Sequence, residues 1–314
     1  MTVDVLTIGE ALVSFRSPGP LMFGAALTPG LAGAESNVAI GLARLGHSVE
    51  WLGRVGDDAF GGEAVRTLRA EGVEVDRVVV DDTAPTGLMF LEQRTADLTR
   101  VEYHRAGSAG SRLSPEDIDL VDFEDVRALH VTGITTALSA PAAATVQAAV
   151  QQASAAGAFV SLDVNHRARL WARDEAAAAL RHLLPHLSLL IASDDELDLV
   201  STGPEDEAVA ALLGGRIEQV AIKRGADGAS LFTSEGRVDA PARRVTAIDT
   251  VGAGDAFCAG LLSGLLDGLD PAGRLDRAAQ LGAWAVSTYG DWQGLPRRRD
   301  LGDLATHRPG ETIR

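Results

Sequence analysis

The chain has 314 residues, 28 of them Lys or Arg against 44 Asp or Glu, and its formal charge of −16 argues against nucleic acid or an anionic membrane as a partner. With 46% hydrophobic and 23% charged residues it reads as an ordinary globular sequence able to bury a sizeable core, and its one cysteine, Cys258, excludes an internal disulfide. No apolar run approaches ~20 residues and the N-terminus lacks a signal-peptide pattern, so the expected compartment is a reducing cytoplasm.

Residues 3–8 form a short apolar run ending at Gly9, the pattern of a buried parallel strand. Helical spacing over residues 37–45 stops at Gly46, a good C-terminal cap. Residues 49–55 read as a strand and 58–70 as a helix ending at Gly72. Further strands are expected at 128–132, 159–163, 187–192 and 219–223, with alanine-rich helices between them at 141–156, 174–184 and 193–200. Two apolar helices follow, 253–266 and 275–288. This alternation predicts an α/β fold: a mostly parallel sheet covered on both faces, in one domain spanning residues 1–314. Residues 11–31 and 86–105 break the pattern with strands but no helix. There 87–93 and 99–103 suggest antiparallel strands joined by a polar turn around Asp97, and strands that cannot join the main sheet must form a small one of their own. His182 and His186 have i,i+4 spacing, but Pro185 ends the helix between them. His130, in an apolar strand, reads as a core residue.

The most informative run is Asp249-Thr250-Val251-Gly252-Ala253-Gly254-Asp255-Ala256-Phe257. Small residues stand where backbone must approach a ligand, and a helix opens directly after them. Free N–H groups at a helix start, with the positive end of its dipole, bind anions. An aspartate beside such a site would repel a phosphate. It is understandable if Asp255 takes a proton from a hydroxyl that attacks the phosphate. The plain alternative is a Gly-rich turn with an acid in the first helical turn. The helix start also favours the ionised form of Asp255, which predicts a weak base held in place.

The nine residues resemble the signature of the ribokinase-like (PfkB-type) carbohydrate kinases. A second signature of that family is matched by Ala32-Gly33-Ala34-Glu35-Ser36-Asn37, with Ala32 where a glycine is usual. The resemblance covers all but about the last dozen residues. It implies a three-layer α/β/α core and a small β-sheet lid formed by about 11–35 and 86–107, which closes over the sugar and often pairs with a partner's lid in a homo-oligomer. It further implies that Gly252, Ala253 and Gly254 cradle the transferring phosphoryl group, that Asp255 is the base, and that Gly33 and Asn37 touch substrate oxygens. The run from Val220 to Ala229 reads as strand, Gly turn and strand. By resemblance it holds ATP near Lys223, Gly225, Ala226 and Gly228, with Gly252 and Gly254 also on the nucleotide; by itself it is a plain hairpin. No GxxxxGK[ST] motif occurs, which excludes a P-loop. Mg2+ is expected with ATP. Glu196, in Ser193-Asp194-Asp195-Glu196, is either a Mg2+ ligand through water or an exposed helix acid. Asp249 resembles a residue that helps bind a monovalent cation such as K+.

Three further stretches resemble 2-keto-3-deoxygluconate kinases: Tyr103-His104-Arg105, Asp163-Val164-Asn165-His166-Arg167 continuing to Trp171, and Gly290-Asp291-Trp292-Gln293-Gly294-Leu295-Pro296. The implied activity is ATP-dependent phosphorylation of the terminal hydroxyl of a sugar acid. An acidic protein needs local cations to hold a carboxylate, and arginine suits it because two N–H groups can bind at once. Tyr103, Arg105, Arg167 and Asp291 are therefore the candidate substrate ligands. Each arginine could instead be a solvated charge, and Tyr103 a packing residue. The competing functions are a kinase for a neutral sugar such as fructose or ribose, and a non-catalytic sensor on the same scaffold. A dinucleotide oxidoreductase is disfavoured, since Gly9-Glu10-Ala11-Leu12 replaces the required glycine pattern.

Overall fold

The computed structural model describes residues 2–95 and 98–303; the expected turn at Asp97 lies outside them. In chain order, β1 (Val3–Ile8) leads into β2 (Leu12–Ser17) and β3 (Thr28–Ala32), then α1 (Ala34–Arg44), β4 (Val49–Leu52), β5 (Arg54–Gly56) and α2 (Ala59–Ala70). After β6 (Val79–Asp81) come β7 (Gly87–Thr95) and β8 (Leu98–His104). The chain then alternates: β9 (Val126–Thr132), α3 (Gly133–Leu138), α4 (Ala140–Ala155), β10 (Phe159–Asp163), α5 (Arg173–Arg181), β11 (Leu189–Ser193), α6 (Leu197–Val200), α7 (Glu205–Leu213) and β12 (Gln219–Lys223). It closes with β13 (Ala229–Thr233), β14 (Gly236–Ala240), α8 (Ala253–Leu266) and α9 (Pro271–Val286).

Eight strands form the main sheet in the order β14-β13-β12-β11-β10-β9-β1-β4. The pairs from β12 to β4 are parallel, while β12–β13 and β13–β14 are antiparallel hairpin pairs. Strands such as β10 and β11 are buried on both faces because helices cover both. One face meets Val146, Leu180, Leu197 and Val209 from α4 to α7; the other meets Ile40, Leu68, Leu262 and Leu281 from α1, α2, α8 and α9. The three-layer α/β/α core is as expected.

Two elements depart from the sequence reading by more than a shift of their ends. The strand expected over 49–55 is broken at Gly53. There β5 leaves the main sheet to pair in parallel with β6, because a Cβ at residue 53 would lie 2.2 Å from the Gly9 carbonyl oxygen. The helix expected over 193–200 shrinks to the single turn α6, since the Glu196 carboxylate accepts the Ser193 N–H at 2.8 Å and holds the preceding residues as a loop.

The strands that interrupted the alternation do form a separate sheet, ordered β3-β2-β7-β8, with β7 and β8 antiparallel. Its inner face carries Leu12, Ala32, Met89 and Leu91. Among the described residues no helix is long and apolar enough to cross a membrane.

Candidate active site

The C-terminal ends of the parallel strands, the start of α8 and the inner face of the small sheet enclose a cavity of about 920 Å3. This is where an open α/β sheet binds ligands. Every candidate site residue lines it except Asp249, which sits behind the wall.

Gly252 caps α8 in a left-handed conformation, φ 78°, and a Cβ there would lie 2.0 Å from the Asp291 carbonyl oxygen. Glycine is thus demanded twice, by backbone angle and by close approach. Past it, the Ala253 N–H meets the Thr250 carbonyl at 3.4 Å, while Gly254 and Asp255, whose N–H groups have no acceptor within the helix, line the cavity. Gly254 has ordinary helical angles. A Cβ there would stand 3.5 Å from the Lys223 ammonium, which places that cation against the cradle. Lys223 Nζ donates to both Asp163 oxygens, at 2.7 and 2.8 Å. Burial works to lower the Lys223 pKa, but Asp163, helped by Glu196 and Cys258, more than offsets it and the ammonium stays charged.

Asp255 stands at the third position of α8, 8% exposed. Asn37 Nδ2, from α1, donates to its Oδ2 at 2.8 Å, and Asn165 Nδ2 lies 3.5 Å from its Oδ1. Asn37 lines the cavity, and its Oδ1 is buried with no hydrogen-bond partner. The expectation that the helix start would keep Asp255 a weak base is corrected here. Burial raises its pKa to about 7, against the opposing pull of Asn37 and Arg167. Desolvation of the carboxylate outweighs the dipole.

On the opposite wall Gly33 precedes α1 at φ 141°, and a Cβ there would lie 2.2 Å from the Glu10 carbonyl oxygen. Arg105 differs from expectation. Its Nε donates to Glu10 Oε2 at 2.6 Å, Nη2 also meets Glu10, and Ser108 Oγ donates to Glu10 Oε1 at 2.6 Å. Its charge is therefore balanced inside the protein, while its guanidinium lies 5.3 Å from the Tyr103 ring centre. Arg167 is exposed to the cavity. Its hydrogen bond among the described residues goes only to the neighbouring His166 carbonyl, at 3.2 Å. It is close enough to Asp255 to favour that group's charged form.

Glu196 is buried, so the exposed-acid reading falls. Its two oxygens accept N–H groups from His166, at 2.7 Å, and Ser193. Asp249 meets Arg16 and accepts the Val251 N–H at 3.1 Å; Asp291 meets the same Arg16. Gly225, Ala226 and Gly228 line the cavity on the side of Lys223. His130 is buried and neutral, pushed down to about 4 by desolvation, with Nδ1 on Ser161 Oγ.

Sequence reasoning missed Asp163, Asn165 and Arg16 as site groups, and also the apolar recess of Ala242, Val245, Ala247, Ala279, Gly282 and Val286. Asn165, φ 42°, had one legible signal: it lies just past a buried strand, in a stretch already singled out for its arginine. The recess had none, because small apolar residues on α9 look like any helix face.

A cavity with a glycine-flanked helix start at one end, a buried carboxylate beside it and polar groups beyond is the kind of site an α/β phosphotransferase needs. The pfkB family carbohydrate kinase model matches residues 4–298, and the chain belongs to that family. It is 37% identical to a 2-dehydro-3-deoxygluconokinase of Bacillus subtilis over 96% of this chain and 95% of that one. It is 34% identical to the Thermoproteus tenax enzyme of the same name, over 96% and 94%. A Klebsiella pneumoniae fructokinase is also 34% identical, over 96% and 99%. Among solved structures, a ribokinase II from E. coli in complex with ATP and Mg2+ superposes with a TM-score of 0.88 at 26% identity, covering 96% and 99% of the two chains. A 2-dehydro-3-deoxygluconokinase from Thermotoga maritima gives 0.84 at 26%, covering 97% and 100%. The protein is an ATP-dependent carbohydrate kinase.

Proposed function

We propose that the acceptor is 2-keto-3-deoxygluconate and the product its 6-phosphate. Arg167 carries this reading: a cation open to the cavity, near the proposed base, in a protein of charge −16. A guanidinium there can take a carboxylate through two N–H groups, whereas a neutral sugar has no use for it. The names of the Bacillus and Thermoproteus relatives agree with it. Tyr103, Gly33, Asn37 and Asp291 supply the remaining polar contacts. Arg105, already balanced by Glu10, adds the Nη1 end of its guanidinium.

In the proposed reaction Asp255 accepts the proton of the terminal hydroxyl. The oxygen then attacks the γ-phosphorus in line, and the bond to the β-phosphate oxygen breaks to release ADP. N–H groups of Ala253, Gly254 and Asp255 hold the charge growing on the phosphoryl oxygens, each donor of this kind being worth about 3 kcal/mol of barrier. Lys223, Gly225, Ala226 and Gly228 bind the nucleotide; the small-residue walls at Gly252 and Gly254 are the fit this chain offers to a triphosphate. Glu196 is the acid that would meet a bound Mg2+ through water, and that ion would supply neutralisation of the phosphate charge. For Asp249, expected beside a monovalent cation, the neighbouring positive charge is Arg16. The small sheet serves as the lid. Its exposed Leu21, Met22, Phe23 and Leu98 are the proposed contact with a second copy.

A coupled ADP-release assay across keto-deoxygluconate, its galactonate epimer, fructose, ribose and adenosine tests the assignment. The sugar acids should be turned over with the highest kcat/KM. Fastest turnover of fructose, which the Klebsiella relative's name would favour, overturns the sugar-acid reading.

A further inference from the structure

Arg16 lies on β2 of the small sheet, yet its guanidinium bridges two carboxylates of the main body: Nη1 meets Asp249 Oδ2 and Nη2 meets Asp291 Oδ1. The side chains of the three are 20%, 8% and 5% exposed. Asp249 opens the glycine loop, and its Oδ1 accepts the Val251 N–H at 3.1 Å while Oδ2 accepts the Gly290 N–H at 3.3 Å. Asp291 presses its backbone carbonyl against Gly252. The Asn37 amide reaches both Asp291 and the proposed base Asp255. One guanidinium therefore pins the segment before the cradle and the segment behind it.

Without that cation, two largely buried carboxylates would face each other behind a site that must admit a polyanion. Burial and Asp249 each act to raise the Asp291 pKa, while Arg16 acts to lower it. Removing the shared partner leaves uncompensated buried charge, which a loop relieves by moving. We propose that Arg16 is a positioning residue for phosphoryl transfer: by neutralising Asp249 and Asp291 together it fixes the glycine cradle, and it does so from the small sheet. The inference rests on residues 252–255 being the cradle and not on which sugar accepts the phosphate.

The test uses the full-length enzyme with whichever acceptor the wild type turns over fastest, so a wrong acceptor assignment leaves it intact. Arg16→Met should lower kcat on the order of 10–100-fold, with the acceptor KM within about threefold of wild type. Sub-denaturing guanidinium should restore much of the loss, sodium chloride at equal ionic strength should not, and Arg16→Lys should retain intermediate activity. A general structural defect would not respond to one cation over another. Unchanged kcat, a loss confined to the acceptor KM, or a loss that guanidinium does not relieve would each overturn the inference. If Asp255→Asn and Gly254→Ala are themselves fully active, it is the cradle that has failed.

Discussion

The two ends of the cavity are built on different plans. The end proposed for the phosphoryl group is backbone: seven consecutive residues, Asp249 to Asp255, turn from a loop into α8. The end proposed for the acceptor is side chains gathered from separate places, with Asn37 on α1, Tyr103 on β8, Arg167 after β10 and Asp291 after α9. A backbone site tolerates few substitutions because its geometry is the active element. A side-chain site can change its ligand one residue at a time. Relatives named for a sugar acid and for fructose, at 37% and 34% identity, are the expected consequence.

The sharpest way to test the contrast is to remove the group where the two ends meet. Asp255→Asn should lower kcat on the order of 10²–10⁴-fold. Stability should behave in the opposite sense. A carboxyl whose folded pKa is raised from 3.8 to about 7 binds its proton more tightly when folded. The folded state therefore loses stability as pH rises across that interval, by at most about 1.4 kcal/mol for each pH unit crossed. Asp255→Asn should flatten this loss in denaturant titrations between pH 4 and 7, while wild-type kcat/KM should climb as pH rises through about 7. A variant that keeps more than a tenth of the wild-type rate removes Asp255 from the role.

At the acceptor end the two arginines should separate. Arg105→Ala strands Glu10 in a buried site and should cost about 3–5 kcal/mol of stability, read from urea midpoints. Arg167→Ala breaks no ion pair among the described residues and should leave the midpoint in place. It should raise the sugar-acid KM on the order of 10–100-fold, the loss of a charge-assisted contact. An unchanged KM would show that the carboxylate lies elsewhere.

The glycines divide the phosphoryl end in the same manner. Gly252→Ala forces a Cβ into the Asp291 carbonyl at positive φ and should cost about 1–3 kcal/mol of stability together with activity. Gly254→Ala meets only the end of Lys223, so the helix should gain up to about 1 kcal/mol while turnover falls. Equal stability changes for the two would mean that the cradle is not shaped as described.

This division also governs what the sequence could reveal. The proposed cradle could be named from sequence because its residues are contiguous and their types follow from backbone geometry, and β1, β10, β12 and α8 were legible from their periodicity. The acceptor end was legible only where local resemblance pointed at a side chain. Even there the partner of Arg105 stayed hidden, because Glu10 is 95 residues away in sequence. Arg16 gave no signal for the same reason: its partners lie 233 and 275 residues further on. The raised pKa of Asp255 was misjudged because the helix start is visible in sequence and burial is not.

Tyr103→Phe gives the smallest and most discriminating effect. The ring of Tyr103 stacks near Arg105, with its centre 5.3 Å from the guanidinium carbon, and phenylalanine preserves that contact and the shape of β8. Only the hydroxyl goes, so any change reports a hydrogen bond to the acceptor and not the packing of the sheet. One neutral hydrogen bond is worth about 0.5–1.5 kcal/mol, which corresponds to a KM rise of about 2- to 10-fold at unchanged kcat and midpoint. If initial-rate kinetics give wild-type constants instead, Tyr103 is a packing residue of the small sheet, and recognition at this end narrows to Arg167, Arg105, Gly33, Asn37 and Asp291.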